Sequence, residues 1–180
     1  MVRECVASLL LLTAPGCSWL LDFSDNAIPG DAALPGPDSA FDQAECDYKE
    51  PNDSVATAAA IQLADMAGAA IGPAAICPGV TEDHDFYKLT VDAATARLEI
   101  RLAYVYGAAR DLDLRLDESS GGEIAVSRGF SDEELLRCPG DSPACPALPA
   151  GDYVIEVFPA VTGAVNRYTI AITTAAAPSP

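Results

Sequence analysis

The sequence predicts an all-β protein: an antiparallel β-sandwich over residues 45–175 with one short N-terminal helix. Short stretches in which apolar and polar residues alternate recur through this region, and this period of two is typical of strands with one buried face. Turn-forming residues separate the stretches, and several short strands of this kind indicate a sandwich. Half of the residues are hydrophobic, which suffices for one core.

Six strands follow from the alternation. Their apolar sets are Tyr87/Leu89/Val91, Leu98/Ile100/Leu102, Leu112/Leu114/Leu116, Ile124/Val126, Tyr153/Ile155/Val157 and Tyr168/Ile170/Ile172. The charged residues between them, such as Asp111 and Asp113, are predicted to form a solvated face. Turns are predicted at 118–122, 149–152 and 163–166, where glycine, proline, serine and asparagine cluster.

The predicted helix spans Ser54 to Leu63, an alanine-rich stretch with Asp53 placed as its N-cap. A second short helical turn is predicted at Ser131 to Leu136.

The N-terminal residues predict export. Arg3 precedes the apolar run Leu9–Leu12, and small residues lead up to Cys17, a pattern typical of a secretory signal over residues 1–16. The run is far shorter than the ~20 residues that a membrane-spanning helix needs. The pattern resembles the lipobox of bacterial lipoproteins, which implies that Cys17 is lipidated after cleavage. The alternative is an ordinary secretory signal with Cys17 as an incidental thiol.

Residues 17–44 are rich in proline and glycine and predict a lipidated tether. The expected location is the bacterial cell envelope, with the lipid anchor as the only membrane element. Ser18, rather than aspartate, follows the cysteine and favours the outer membrane by the rule known for enteric bacteria.

The charge limits the partners. The chain has 10 Lys+Arg and 27 Asp+Glu, and removal of residues 1–16 takes away Arg3 and Glu4 together, so the net charge stays at -17. A field of that sign repels phosphate backbones, which excludes nucleic acid as a partner. The surplus carboxylates either solvate the surface or bind a divalent cation.

Four cysteines remain once Cys5 leaves with the signal and Cys17 is lipidated, and an even number in an exported domain predicts two disulfides. Four cysteines allow three pairings. Cys138 and Cys145 bracket a short turn-rich loop, which favours that pair and, by exclusion, Cys46 with Cys77. A four-cysteine zinc site would need ligand pairs two to four residues apart, and the sequence has none.

Several motifs occur in an order that resembles the bacterial pre-peptidase C-terminal domain. The resemblance covers about residues 45–173. Its motifs are Glu50-Pro-Asn-Asp-Ser, Asp83-His-Asp-Phe-Tyr, Asp111-Leu-Asp-Leu-Arg-Leu, Ser119-Ser-Gly-Gly, Pro149-Ala-Gly-Asp-Tyr-Val-Ile-Glu-Val and Asn166-Arg-Tyr-Thr-Ile. The resemblance implies a small jelly-roll-like sandwich that is non-catalytic, found on secreted peptidases and also on its own.

The related collagen-binding domains of clostridial collagenases bind calcium through the corresponding acidic segment. The resemblance therefore implies Ca²⁺ as a cofactor, with ligands at the matching positions. These are Glu50, Asn52, Asp53 and Asp85, with Glu82 or Asp83 as a further ligand. Tyr48 stands where those relatives have another glutamate. The alternative role is structural: Asp53 and Ser54 cap the predicted helix, and Asp85 satisfies backbone donors in a turn.

Collagen recognition is implied less strongly, because the outer positions that carry tyrosines in those relatives hold Phe158 and Ala160. Catalysis has little support: His84 is the only histidine, and no serine or cysteine is marked out as its nucleophile. The function predicted is that of a non-catalytic, lipid-anchored envelope protein whose sandwich binds an extracellular or envelope protein or a polysaccharide. The alternative is an accessory domain that assists a secreted peptidase.

Overall fold

A computed structural model describes residues 43–63, 68–77 and 83–176, all within one compact unit, Leu34–Pro180. The predictions for the signal peptide, for Cys17 and for Glu82 fall outside the described residues. The elements are helix α1 (Gln43–Cys46) and strands β1 (Ala59–Ala60), β2 (Ala69–Ile76), β3 (Asp85–Val91), β4 (Thr95–Tyr104), β5 (Leu112–Glu118), β6 (Glu123–Ser127), β7 (Glu133–Cys138), β8 (Gly140–Asp141), β9 (Ala144–Cys145), β10 (Gly151–Pro159) and β11 (Asn166–Ala176).

Two sheets form the predicted sandwich. The five-stranded sheet has the order β1-β3-β10-β5-β6 and the four-stranded sheet the order β2-β11-β4-β7, while β8 and β9 pair separately as a short hairpin. Within the two large sheets, all neighbours in the described residues are antiparallel except β1 and β3. The antiparallel β-sandwich is thus confirmed.

The core lies between the two sheets. Leu89, Leu114 and Ile155 from one sheet meet Ile100 and Leu102 from the other, and each is completely buried. Full burial of such a side chain contributes roughly 1.5–3 kcal/mol. Five of the six predicted apolar sets point into this core. In β6 the prediction was wrong, because Ala125 faces inward opposite Leu116 while Ile124 and Val126 are only partly buried.

The predicted helix at Ser54 to Leu63 is wrong. The chain there makes a turn in which Thr57 N donates to Ser54 O (3.0 Å), and β1 then pairs with β3. Pairing continues just beyond β1, where Ile61 N donates to Lys88 O (2.8 Å). An isolated helix this short is marginal in water, so hydrogen bonds to an existing strand outweigh the helix propensity of alanine.

The helical turn predicted at Ser131 to Leu136 is also wrong, because this region forms β7, which pairs with β4. Its inward positions hold Glu134, Leu136 and Cys138, and a glutamate at an inward position hides the strand pattern. β2 was not predicted either, because it consists mainly of alanine, with one glycine, one proline and two isoleucines, and shows no alternation of apolar and polar residues. Gly72 in β2 has φ +99°, and a Cβ atom there would lie 2.8 Å from Tyr168 O, so the close approach of β11 requires glycine.

Both expected disulfides are present. One links Cys46 in α1 to Cys77 at the end of β2, and the other links Cys138 to Cys145 across the β8–β9 hairpin. The first bridge fixes α1, and so the point at which the chain enters the domain.

One end of the sandwich, which we call the entry end, carries α1. β2, β4, β6 and β10 end there, and β3, β5, β7 and β11 begin there. The two sheets are joined at this end by bonds such as Asn166 Nδ2 to Arg110 O (2.8 Å) and Cys77 N to Asp83 Oδ2 (2.6 Å). The connections β2–β3, β4–β5, β6–β7 and β10–β11 therefore lie together at the entry end.

No helix in the described part of the chain is both long enough and apolar enough to cross a membrane.

Candidate functional site

Five acidic and amide side chains from two segments lie close together at the entry end. Glu50, Asn52 and Asp53 come from the segment between α1 and β1, and Asp83 and Asp85 lie at the start of β3. Carboxylate oxygens of Glu50, Asp53 and Asp83 lie within 4.8 Å of one another. We call these five residues the carboxylate cluster. It contains all the residues proposed as metal ligands from the sequence except Glu82.

Backbone hydrogen bonds hold the two segments in place. Phe86 N donates to Asn52 O (2.9 Å), so the first segment runs beside the start of β3. Asn52 N donates to Glu50 Oε2 (2.8 Å), which turns the Glu50 carboxylate back over its own segment. Asp83 accepts from Cys77 N, next to the Cys46–Cys77 bridge. The cluster thus lies where the start of the domain is cross-linked to β2 and β3.

Asn52 is completely buried in the cluster. With its amide nitrogen facing the carboxylates, it donates to both Glu50 oxygens at 2.9 Å and to Asp85 Oδ1 at 3.1 Å. If the amide oxygen lies on that side instead, it faces three further acceptors, namely the two Glu50 oxygens and Asp85 Oδ1. A cation between these four oxygens makes that arrangement favourable. The same side-chain position therefore suits both a metal-free and a cation-bound cluster.

The electrostatics of the cluster favour the gain of positive charge. Burial is the main reason that the pKa of Asp85 is raised to about 8. A hydrogen bond from the Tyr168 hydroxyl lowers this pKa, whereas repulsion by the carboxylates of Asp83 and Glu50 raises it. Burial likewise raises the pKa values of Asp83 and Glu50, and the carboxylate of Asp53 adds to both shifts. A raised pKa shows that the charged form is disfavoured, so a proton or a metal ion at the cluster relieves the repulsion.

The donors are those that Ca²⁺ prefers, namely carboxylate and amide oxygens. Tyr48 is partly buried against the hydrophobic core and provides no carboxylate. The alternative role as a helix cap is wrong for Asp53 and Ser54, because no helix follows them. Asp85 accepts from the side chain of Tyr168.

His84, between two members of the cluster, points to the other side of the strand. Its Nδ1 lies 2.6 Å from Glu156 Oε1 on β10, and its ring lies 5.9 Å from that of Phe158 and 6.3 Å from that of Phe86. Because side chains alternate along an extended chain, Asp83 and Asp85 face the cluster while His84 faces the outer surface of the five-stranded sheet.

That outer surface carries a patch of aromatic and charged side chains, which we call the outer patch. Its members are His84, Arg115, Asp117, Arg128, Glu156 and Phe158. Phe158 is partly exposed between two guanidinium groups, with Arg115 Cζ at 5.4 Å and Arg128 Cζ at 5.8 Å from its ring centre. Glu156 forms an ion pair with Arg115, which also lies 3.2 Å from Asp117. Arg115 Nε and Glu156 Oε2 are buried without a well-aligned hydrogen bond in the described part of the chain.

The prediction that Asp111 and Asp113 form a solvated face is wrong. Asp111, Asp113 and Asp117 are 5–6% exposed, although they alternate with the core leucines of β5. Asp111 accepts from the Tyr104 hydroxyl (2.8 Å), and Asp113 lies 3.5 Å from Arg128 Nε. Burial raises the pKa of Asp113 to about 6, against Arg128, which lowers it. Side chains such as those of Tyr104 and Arg128 pair with these carboxylates, and the alternation along β5 alone does not show that such partners bury them.

Glu156, Arg115 and Arg128 were not singled out from the sequence. The one signal for them is Glu156 itself, a lone carboxylate inside the apolar run Tyr153-Val-Ile-Glu-Val-Phe158. An acid in the middle of a strand that is otherwise apolar on both faces needs a partner. The sequence does not identify that partner, because Arg115 and His84 come from other strands.

The surroundings of His84 resemble no hydrolytic triad. Its Nδ1 is oriented by Glu156, and within the described residues no serine, threonine or cysteine side chain is hydrogen-bonded to its ring. A nucleophile within hydrogen-bond reach of the base is the minimum for that chemistry.

No protein-family model matches the chain, and no curated protein sequence matches it. Among solved structures, it is similar to the pre-peptidase C-terminal domain of a collagenase from Bacillus anthracis. The TM-score is 0.48 and the sequence identity 16%, and the match covers 64% of this chain and 94% of that domain.

Proposed function

We propose that the protein is a non-catalytic, lipid-anchored envelope protein that binds a protein or polysaccharide through the outer patch, with Ca²⁺ in the carboxylate cluster. The observation that carries this proposal is the alternation at 83–85. Asp83 and Asp85 face the cluster and His84 faces the patch, so one short segment belongs to both. A cation that fixes the two aspartates also fixes the histidine between them.

Ca²⁺ is the ion that fits the cluster best. The five residues offer four carboxylates and one amide oxygen, whereas Mg²⁺ requires a tighter octahedron and keeps more of its water. Glu50, Asn52 and Asp53 would ligate from one side, and Asp83 and Asp85 from the other. The bound ion would cross-link the start of the domain to β3 and add its binding free energy to that of folding.

The composition of the outer patch supports binding rather than catalysis. Aromatic and arginine side chains supply most of the energy at protein interfaces, and Phe158 lies between Arg115 and Arg128. Carboxylates next to these cations give the patch a pattern of alternating charge, which supports selectivity for one partner over others.

The lipid anchor is proposed at Cys17, at the surface of the cell envelope. If Cys17 is the acceptor, Cys17→Ser abolishes metabolic labelling by palmitate and releases the protein from the membrane fraction. Unchanged labelling would contradict the anchor.

A pull-down from envelope extracts tests the binding function. The bait is the mature chain with Cys17→Ser, used with calcium or with chelator. Phe158→Ala removes the central ring of the patch, and Arg97→Ala is the control because Arg97 is exposed on β4, in the other sheet. We expect one retained species that is lost with Phe158→Ala and with chelator but kept with Arg97→Ala, since loss of such a ring costs about 2 kcal/mol or more.

The identity of the retained species separates the two candidate roles. A polysaccharide or matrix protein supports adhesion, whereas a single peptidase supports the accessory role. If Phe158→Ala retains the same species as the unsubstituted bait, the outer patch is not the binding surface.

A further inference from the structure

Exposed apolar side chains are distributed very unevenly over the sandwich. Large hydrophobic residues that remain exposed in the described part of the chain all lie at or beside the entry end. They are Val55 (41% exposed), Val105 (38%), Phe130 (82%) and Val161 (45%). The last three lie on the connections β4–β5, β6–β7 and β10–β11, and Val55 lies between Asn52 and β1.

Hydrogen bonds hold these connections in fixed positions. Asp132 Oδ1 accepts from Tyr106 N (2.7 Å) and Asp132 O accepts from Tyr104 N (3.0 Å), which joins the β6–β7 and β4–β5 connections on either side of Val105. Asn166 Nδ2 donates to Val105 O (2.8 Å). Next to Phe130, Gly129 N donates to the buried carboxylate of Glu134 (2.7 Å). The apolar side chains are therefore presented outward by an ordered framework.

The polypeptide enters the domain at this same end. The Cys46–Cys77 bridge and the Glu45–Arg167 ion pair fix α1 beside the starts of β3 and β11. Helix α1, where the described chain begins, therefore lies at the end that carries Phe130 and Val161.

We propose that the entry end rests on a lipid bilayer, with Phe130 inserted among the headgroups and Val105 and Val161 beside it. This orientation rests on the lipid anchor proposed at Cys17. An anchored domain is already held near the surface, so a few apolar contacts suffice to orient it, because their effective concentration is high.

The form of the entry end favours a lipid surface over a protein. Its exposed apolar side chains project from separate connections, whereas protein partners usually meet a contiguous, closely packed patch. A fluid interface accommodates separate projections, and phenylalanine is among the side chains that bury at the boundary of headgroups and acyl chains. The net charge of -17 disfavours anionic lipids, so the expected surface is zwitterionic.

Depth-dependent fluorescence quenching tests this orientation. The mature chain is coupled through Cys17, its only cysteine outside the two disulfides, to a maleimide lipid in phosphatidylcholine vesicles. Trp19→Phe removes the only tryptophan. One variant then carries Phe130→Trp, and the matched control carries Ala93→Trp, an exposed position on the β3–β4 connection at the opposite end.

We expect the Phe130→Trp emission to shift to the blue and to be quenched by lipids brominated on the upper acyl chain, while the Ala93→Trp emission does neither. Equal behaviour of the two variants would overturn the orientation. Since the anchor is supplied chemically, this result is independent of whether cells lipidate Cys17, which palmitate labelling decides separately.

Discussion

At the scale of single residues, seven acidic side chains in the described part of the chain are buried. Asp113 is 5% exposed, and burial raises its pKa to about 6. A carboxyl group whose pKa is higher in the folded than in the unfolded state binds its proton more tightly when folded. Its stabilising effect is therefore complete below the unfolded pKa of about 3.9 and is lost as the pH rises through about 6.

Asp113→Asn should therefore stabilise the protein at neutral pH, because the amide needs no proton to be neutral. The shift corresponds to a gain on the order of 1–3 kcal/mol in the free energy of unfolding at pH 7, and the gain should disappear near pH 4. Urea unfolding between pH 4 and 7.5 measures this. Asp141→Asn, at an exposed position, is the control. A gain that is the same at pH 4 and pH 7 would contradict a raised pKa at Asp113.

At the scale of elements, alternation of apolar residues identified β3, β4, β5, β10 and β11, since each of these strands points every second residue, an apolar one, into the core. It failed for β2, whose small residues show no alternation, and for β7, where Glu134 faces inward and accepts from Gly129 N. The carboxylate cluster followed from a resemblance of motifs. The outer patch was not predicted, because Glu156 contacts His84 and Arg115 only where strands distant in sequence pair with one another.

The two disulfides should differ in their contribution to stability. They close loops with sequence separations of 31 and 7 residues. Loop entropy predicts a loss of about 4 kcal/mol for Cys46→Ala with Cys77→Ala and about 2 kcal/mol for Cys138→Ala with Cys145→Ala. Urea unfolding of both double variants provides the comparison, and each serves as the control for the other. A larger loss from the shorter loop would show that local strain or packing dominates.

At the scale of the whole molecule, calcium should stabilise the fold, because it binds a cluster assembled only in the folded state. At a concentration 100 times the dissociation constant, the gain is about 2.7 kcal/mol. The melting temperature should rise with calcium, fall with chelator and respond weakly to magnesium. Asp53→Ala together with Asp85→Ala should remove the response, whereas Glu123→Ala, at an exposed position, should retain it. A melting curve indifferent to calcium and chelator would leave these carboxylates as turn residues.

In the proposed function, the carboxylate cluster and the outer patch act as one unit because residues 83–85 belong to both, and His84, the single histidine of the chain, reports on this coupling directly. The NMR signal of the His84 ring during a calcium titration measures it. We expect a saturable shift that follows the rise in melting temperature and is absent with Asp53→Ala and Asp85→Ala. A rise in melting temperature that leaves the His84 signal unchanged would contradict the coupling of metal to patch.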